Sequence, residues 1–244
     1  MTSPAFGHAP ASAPQRPGRP EQATARKRVA VLISGRGSNM AALIAAARNP
    51  DYPADIAVVV SNRPDAGGLQ RAGVEGIATA VVDHVGFGKD RAAFEEAMQV
   101  HLDAHQVDLV CLAGFMRLLT PAFVSRWSGR MLNIHPALLP SFRGLHTHER
   151  ALAAGVRIHG ATVHYVVPEV DTGPIIAQAA VPVVDRDTPD TLAARVLAAE
   201  LRLYPLALGL VAGGKSVLAS EGVVRSNAAV VLTAQLIVPD PLQP

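Results

Sequence analysis

A continuous apolar run, followed by a glycine-rich turn and an alanine-rich stretch, does most to restrict the fold of this chain. The run is residues 29–33, the turn is 34–39 and the helix-forming stretch is 40–47. A strand that is apolar throughout is buried on both faces, as in parallel sheets covered by helices. Glycines allow the sharp turn, and the helix start presents free N–H groups that favour an anion. The pattern predicts a phosphate site, or else a tight turn in which Ser38 only caps the helix.

Two common nucleotide-binding turns do not match this segment. The dinucleotide-binding fingerprint needs a third glycine where this chain has Met40. A P-loop would close with Gly-Lys-Ser or Gly-Lys-Thr, and that sequence is missing here. The turn therefore predicts binding of a phosphate without indicating which nucleotide carries it.

Apolar runs alternate with helix-forming stretches through the first half of the chain. This alternation predicts an α/β fold with a doubly wound, mainly parallel sheet. Beyond residue 140 two strands follow without long crossover helices, so we expect an antiparallel C-terminal portion. A long helix should begin with Thr188 as N-cap and Pro189 as first residue, and Pro205 should kink or end it. The predicted strands are 29–33, 56–60, 77–82, 107–113, 131–135, 158–167 and 175–184, and the shorter predicted helices are 40–47, 65–72, 91–104, 121–127 and 149–154.

Composition divides the chain into three parts. Residues 1–27 are rich in Ala, Pro and Arg and are predicted to form a disordered tail. Residues 28–218 are predicted to form the folded domain, and residues 219–244 a C-terminal extension with a strand pair over 223–238 and a frayed end. A transit peptide would share the Arg-rich, acid-poor composition of the tail, but the prolines disfavour an amphipathic helix.

Charge and cysteine content argue against several classes of protein. The chain has 22 basic and 20 acidic residues, and the first 28 residues hold five of the basic ones but one acidic one. The remainder is slightly negative, which argues against a nucleic-acid partner. The single Cys111 lies in an apolar run, so we expect its side chain to be buried. One cysteine cannot form an internal disulfide, so we expect a reducing, cytoplasmic compartment. No apolar run is long enough to span a bilayer and no leader opens the chain, so no membrane partner is expected.

A short strand that ends in Asn133-Ile134-His135-Pro136 carries the clearest candidate chemistry. Alternate side chains of a strand share a face, so Asn133 and His135 lie side by side. Pro136 cannot donate to a sheet and should end the strand. Ligands of open α/β sheets bind at this carboxyl end. Spacing alone supports two interpretations equally. Either Asn133 and His135 form a binding pair, or Asn133 is a turn residue and His135 an ordinary core histidine.

Four motifs occur together in one order along the chain. They are Ser-Gly-x-Gly-Ser-Asn at 34–39, Ala-Gly-Phe-Met-Arg at 113–117, Asn-Ile-His-Pro-x-Leu-Leu-Pro at 133–140 and Asp-x-Gly-Pro at 171–174. In this arrangement residues 28–213 resemble the phosphoribosylglycinamide formyltransferase family, also called glycinamide ribonucleotide transformylases. The resemblance implies a Rossmann-like formyltransferase fold and transfer of a formyl group from 10-formyltetrahydrofolate to the amine of glycinamide ribonucleotide in purine biosynthesis. A monomer or a homodimer is expected, and the sequence does not distinguish the two.

The resemblance further implies a role for individual residues. Asn133, His135 and Asp171 would be catalytic, with His164 close behind them. The phosphate and ribose of the substrate would be bound by Gly37, Ser38, Asn39 and Glu200. The folate pocket would be lined by Arg91, Met116, Arg117, Leu118, Leu119, Val167, Pro168, Glu169 and Val170.

Elementary chemistry is consistent with the catalytic assignment. An amine that attacks a formyl carbon puts negative charge on oxygen, to which Asn133 and a protonated His135 can donate hydrogen bonds. A carboxylate at Asp171 would favour the protonated imidazole. Spacing alone would make Asp171 an Asx-turn residue, and only the resemblance favours catalysis. His146 and His148 have poor zinc spacing, so no metal is expected.

Three functions stay open at this point. The first is formyl transfer to glycinamide ribonucleotide. The second is another folate enzyme, either methionyl-tRNA formyltransferase or formyltetrahydrofolate deformylase. The former should have a sizeable basic C-terminal domain, and the latter an extra folded N-terminal domain, and neither tail here suits those roles. The third is a non-catalytic nucleotide-binding module, which has no need for Asn133, His135 and Asp171 together.

Overall fold

One seven-stranded sheet forms the centre of the molecule. The computed structural model describes residues 26–219, 222–227 and 238. The strands lie in the order β3-β2-β1-β4-β5-β6-β7. From β3 to β5 all neighbours are parallel, whereas β6 and β7 pair antiparallel. This confirms the predicted doubly wound α/β sheet with its antiparallel C-terminal portion. The strands are β1 (Lys27–Ile33), β2 (Ala54–Ser61), β3 (Thr79–Val81), β4 (Leu109–Leu112), β5 (Met131–His135), β6 (Ile158–Tyr165) and β7 (Ile175–Pro182).

Helices cover both faces of the sheet and create two apolar cores. In β1, Val29, Val31 and Ile33 pack into one core, while Ala30 and Leu32 pack into the other. This explains why the strand is apolar at every position. The first core includes α1 and α6, and the second includes α3 and α4. The helices are α1 (Ser38–Ala47), α2 (Gly67–Val74), α3 (Arg91–Ala104), α4 (Pro121–Arg126), α5 (Thr147–Ala153) and α6 (Pro189–Ala212), with a 3₁₀ turn at His84–Phe87.

The strand order creates a crevice between the carboxyl ends of β1 and β4. The chain leaves β1 toward β2 on one side and leaves β4 toward β5 on the other, so the connections diverge there. The backbone N–H of Ser34 bridges the two ends by donating to the Gly114 carbonyl at 3.1 Å. Ligands of open α/β sheets bind at such a switch point.

Helix α6 continues through Pro205 to Ala212, so the proline does not end it. Proline in a helix interior costs about 3 kcal/mol. Leu203, Tyr204, Ala207 and Leu208 are buried on both sides of it, and each large apolar side chain contributes about 1.5–3 kcal/mol. Burial therefore outweighs the lost backbone hydrogen bond.

The ends of the folded region differ slightly from their predicted bounds. The tail predicted over 1–27 lies outside the described residues up to residue 25, and Lys27 is the first residue of β1. A hairpin joins β8 (Ser216–Leu218) to β9 (Val224–Ser226), so the partner of β9 lies before the predicted extension. The rest of the predicted 223–238 pair falls outside the described residues, apart from residues 223, 227 and 238. Among the described residues no helix is both long and apolar enough to cross a lipid bilayer.

Candidate active site

The turn after β1 leaves the start of α1 open. Gly37 is the N-cap with a φ of 72°, and no side chain caps the helix. A Cβ at this position would lie 2.9 Å from Gly68 Cα, so only glycine fits against α2. The alternative in which Ser38 is the cap is wrong, because Ser38 already lies inside the helix. The first N–H groups of α1 thus have no partner within the helix and face the crevice where an anion can bind.

A carboxylate from the other end of the domain lies beside this turn. Asn39 Nδ2 donates to Glu200 Oε2 of α6 at 2.7 Å. Glu200 is buried, which raises the pKa of its carboxyl, while the Asn39 hydrogen bond and the nearby His135 oppose that rise. Asn39 Oδ1 is also buried and has no partner among the described residues. The turn therefore presents a hydrogen-bond acceptor without a partner, Asn39 Oδ1. Beside it lies the Glu200 carboxylate, whose cost of burial is partly offset by the Asn39 hydrogen bond.

His135 and Asp171 form an almost fully buried pair. His135 Nδ1 lies 3.3 Å from Asp171 Oδ2, and these side chains are 6% and 11% exposed. His135 Nε2 lies 3.0 Å from the Phe142 carbonyl oxygen. Both ring nitrogens face oxygen acceptors, so the doubly protonated imidazolium satisfies both contacts. The backbone N–H of Gly144 also donates to Asp171 Oδ2, at 2.9 Å, and orients the carboxylate.

His164 links Asn133 to the same carboxylate. Its Nδ1 lies 2.8 Å from the Tyr165 carbonyl, so that nitrogen carries the proton. Its Nε2 then accepts from Asn133 Nδ2 at 3.3 Å and lies 3.7 Å from Asp171 Oδ1. Burial lowers the pKa of His164, in keeping with a neutral ring. The second N–H of the Asn133 amide stays available for a ligand.

Strand pairing and one close backbone approach bring these groups together. Asn133 lies opposite His164 in the β5–β6 pair, which places the amide against the imidazole. The loop that carries Asp171 packs closely against β6. A Cβ at Gly173 would lie only 1.8 Å from the Tyr165 carbonyl oxygen, so only glycine allows this approach. Asp171 itself has a left-handed φ of 52°. The glycine and the unusual backbone together turn the carboxylate toward His135.

The predicted folate residues lie at or near the carboxyl edge of the sheet. Met116 and Leu118, which follow β4, are 64% and 65% exposed, although both are apolar. Residues 168–170, next to Asp171, are exposed as well. Arg91 is exposed at the start of α3, and no hydrogen bond or ion pair of the described residues joins its side chain to Asn133, His135 or Asp171. The structure thus brings together Asn133, His135, Asp171 and His164, but makes no such link to Arg91.

A pair of packed histidines, of which His159 is buried and His148 partly buried, is the part of the site that sequence reasoning missed. His159 is fully buried, and neither ring nitrogen has a hydrogen-bond partner among the described residues. Its ring packs edge-on against His148 at 5.4 Å and against Phe142 at 5.7 Å. Burial, followed by the charge of His148, lowers its pKa to about 4. The spacing of His146 and His148, considered above for a zinc site, gives no sign of this packing. In the part of the chain that the structure describes, no group of three or more His, Cys, Asp or Glu side chains is arranged so that it could hold a metal ion.

Stability is expected to fall as pH drops from 6.5 to about 4, because unfolded His159 then binds a proton that the folded ring excludes. The stabilisation that comes from keeping His159 unprotonated is fully present above pH 6.5 and is lost as the pH falls to about 4. His159→Phe keeps a ring but removes the titrating group, so its unfolding free energy should depend less on pH there. Denaturant unfolding across the window, with NMR titration of the ring, measures this. Equal pH dependence in both proteins would contradict it.

Comparison with known proteins identifies related sequences and structures. Residues 27–208 match the family model described as formyl transferase. The chain is 46% identical over 187 residues to phosphoribosylglycinamide formyltransferase of Escherichia coli, covering 77% of this chain and 88% of that protein. It is 51% identical over 197 residues to trifunctional purine biosynthetic protein adenosine-3 of Bos taurus, covering 81% of this chain but only 19% of that protein. The crystal structure of phosphoribosylglycinamide formyltransferase from Brucella melitensis is 56% identical, with a TM-score of 0.74, and covers 78% of this chain and 97% of that one.

Proposed function

The chain belongs to the formyl transferase family, and we propose that it transfers a formyl group from 10-formyltetrahydrofolate to the amine of glycinamide ribonucleotide. The observation that carries this proposal is the cluster of Asn133, His135 and Asp171 beside the uncapped start of α1. A ribonucleotide phosphate at the helix start would place its amine near the cluster. The two features together suit an acceptor with a phosphate at one end and a nucleophile at the other.

The cluster supplies what attack on a formyl carbon requires. Negative charge develops on the formyl oxygen, and the free N–H of Asn133 donates to it. His135 donates as well once its Nε2 proton leaves the Phe142 carbonyl, which it contacts at 3.0 Å. Such donors typically contribute about 100- to 1000-fold in rate each. Asp171 holds the imidazolium and accepts the proton that the amine loses, directly or through a water molecule. The tetrahedral intermediate then collapses, the bond between the formyl carbon and N10 of the folate breaks, and this proton passes to N10, so that tetrahydrofolate leaves.

The two ends of the site suit the two substrates. The free N–H groups of α1 and the unused Asn39 Oδ1 bind the ribonucleotide, with Glu200 placed for its ribose. The exposed apolar side chains of Met116 and Leu118 give a surface for a flat pterin ring. The folate donor therefore fits the edge after β4 and the loop before Asp171. Cytoplasmic location and the monomer or homodimer state stay predictions.

A spectrophotometric assay of folate deformylation with and without glycinamide ribonucleotide tests the function. We expect formyl loss from 10-formyltetrahydrofolate to require the ribonucleotide, since the amine is the nucleophile. A formylated ribonucleotide should appear in equal amount. Release of formate without the acceptor would identify a deformylase instead, and no turnover with either would leave only a binding module.

Asn39→Ala is expected to raise KM for the ribonucleotide about 10- to 100-fold. The change removes the free acceptor and leaves Glu200 without its hydrogen bond, and hydrogen bonds to charged groups contribute about 1.5–3 kcal/mol. Initial rates at saturating folate give this KM. Asn49→Ala, which alters an exposed asparagine that accepts from Asp51 N just after α1, is the matched control. A defect confined to folate affinity would contradict the assignment of this turn to the ribonucleotide.

A further inference from the structure

The segment after β4, residues 116–119, has no regular secondary structure and yet presents apolar side chains to solvent. Met116 and Leu118 are exposed, while Phe115 just before them is buried in the core. An irregular segment has no ladder of hydrogen bonds to fix its backbone, so any fixed shape needs other restraints. The structure supplies one restraint at each end.

Ser34 fixes the first end. Its Oγ accepts from the backbone N–H of Met116 at 2.7 Å and donates to Asn62 Oδ1 at 2.5 Å. Ser34 is 9% exposed and Asn62 is 2% exposed, so both bonds are shielded from water. Asn62 follows β2, and the Ser34 hydroxyl therefore joins the ends of three strands, β1, β2 and β4.

Glu95 fixes the second end. From α3, its Oε1 accepts from the backbone N–H of Thr120 at 2.6 Å, and its Oε2 accepts from the Thr120 hydroxyl. The same hydroxyl caps α4 by accepting from Phe123 N. Glu95 is only 3% exposed. A buried carboxylate is costly unless it is paired, so this contact holds Thr120 firmly in place.

We propose that Ser34 and Glu95 are positioning residues that hold the 116–119 segment in the shape that receives the folate donor. This inference rests on the function proposed above. Neither side chain touches the reacting groups, and both act through the backbone of the segment. A surface held in its binding shape loses less entropy when the ligand binds, so the expected effect falls on folate affinity and not on the chemical step.

Binding measurements on variants separate this role from a general structural one. Ser34→Ala should weaken tetrahydrofolate binding about tenfold, and Glu95→Ala about 10- to 100-fold. Affinity for glycinamide ribonucleotide should change less than about twofold, because the Ser34 N–H still bonds Gly114 and fixes the neighbouring turn. KM for 10-formyltetrahydrofolate should rise with kcat nearly unchanged. Anaerobic calorimetry with each ligand alone gives the affinities.

Matched variants complete the test. Glu95→Gln keeps an acceptor for Thr120 and should restore most of the affinity. Ser61→Ala removes a buried hydroxyl at the end of β2, which among the described residues bonds with the Arg63 backbone. Glu96→Ala removes an exposed α3 carboxylate paired with Arg126. Both variants should bind folate as the unchanged protein does. Should Glu95→Ala fail to fold, Ser34→Ala decides alone, since it deletes one oxygen.

Two results would overturn the positioning role. They are unchanged tetrahydrofolate binding in Ser34→Ala, or an equal loss of affinity for both ligands. Unchanged protein that binds the ribonucleotide but no tetrahydrofolate would instead overturn the proposed function, and this inference with it.

Discussion

His135→Ala is expected to lower kcat for formyl transfer by at least about 100- to 1000-fold, the typical effect of losing one donor to a developing oxyanion. The loss should be larger than for a simple donor, because the ring also orients Asp171 across the 3.3 Å contact. Substrate affinities should change little, since no hydrogen bond or ion pair among the described residues joins this ring to the start of α1 or to the segment after β4. Single-turnover measurements at saturating substrates give the effect on the chemical step.

A matched histidine variant shows whether the effect is specific. His101→Ala changes a residue in the last turn of α3. That helix end leads into β4 and therefore lies at the edge of the sheet away from the site. This variant should keep kcat within about twofold. A His135→Ala protein that is folded, as judged by circular dichroism, and turns over at the normal rate would disprove the proposed mechanism.

Asp171→Asn is expected to lower kcat about 100- to 10,000-fold, since it removes a proton acceptor and the charge beside His135. Asparagine removes the charge of Asp171 with less change to the backbone than alanine would cause. Asp171 has a left-handed φ of 52°, which asparagine tolerates. The amide oxygen of the substituted side chain can still accept the hydrogen bond that Gly144 N donates to the carboxylate.

Asp171→Ala separates the chemistry from the backbone effect. Alanine in a left-handed conformation costs about 1–2 kcal/mol, so this variant should be less stable than Asp171→Asn by about that amount. Both variants should nevertheless lose a similar share of kcat. Equal stability of the two variants would contradict the expected cost of alanine at a left-handed φ. Near-normal turnover of Asp171→Asn would show that Asp171 has no part in the mechanism.

The fold was predictable because its signals are local. An apolar strand such as β1, which divides its side chains between two cores, is recognised from five consecutive residues. The shared face of Asn133 and His135 likewise follows from strand periodicity. The end of α6 was not predictable, because the burial that outweighs Pro205 depends on packing against the rest of the domain.

The site was only partly predictable for the same reason. Asp171 reaches His135 through a loop whose path is set by contact with β6 at Gly173. Periodicity carries no information about such an approach, and a family resemblance was needed to single out Asp171. Nothing local in the sequence indicated that His159 packs between His148 and Phe142, or that Ser34 and Glu95 bond the two ends of one segment.

The hydrogen bond between Asn39 and Glu200 spans 161 positions of the chain, with consequences for biosynthesis. A nascent chain on the ribosome that has not yet reached α6 lacks the Glu200 carboxylate. It also lacks the apolar face of α6, which shares one core with β5 and β6. A product that stops short of residue 200 would therefore lose part of the ribonucleotide pocket and also packing that supports the strand carrying Asn133 and His135.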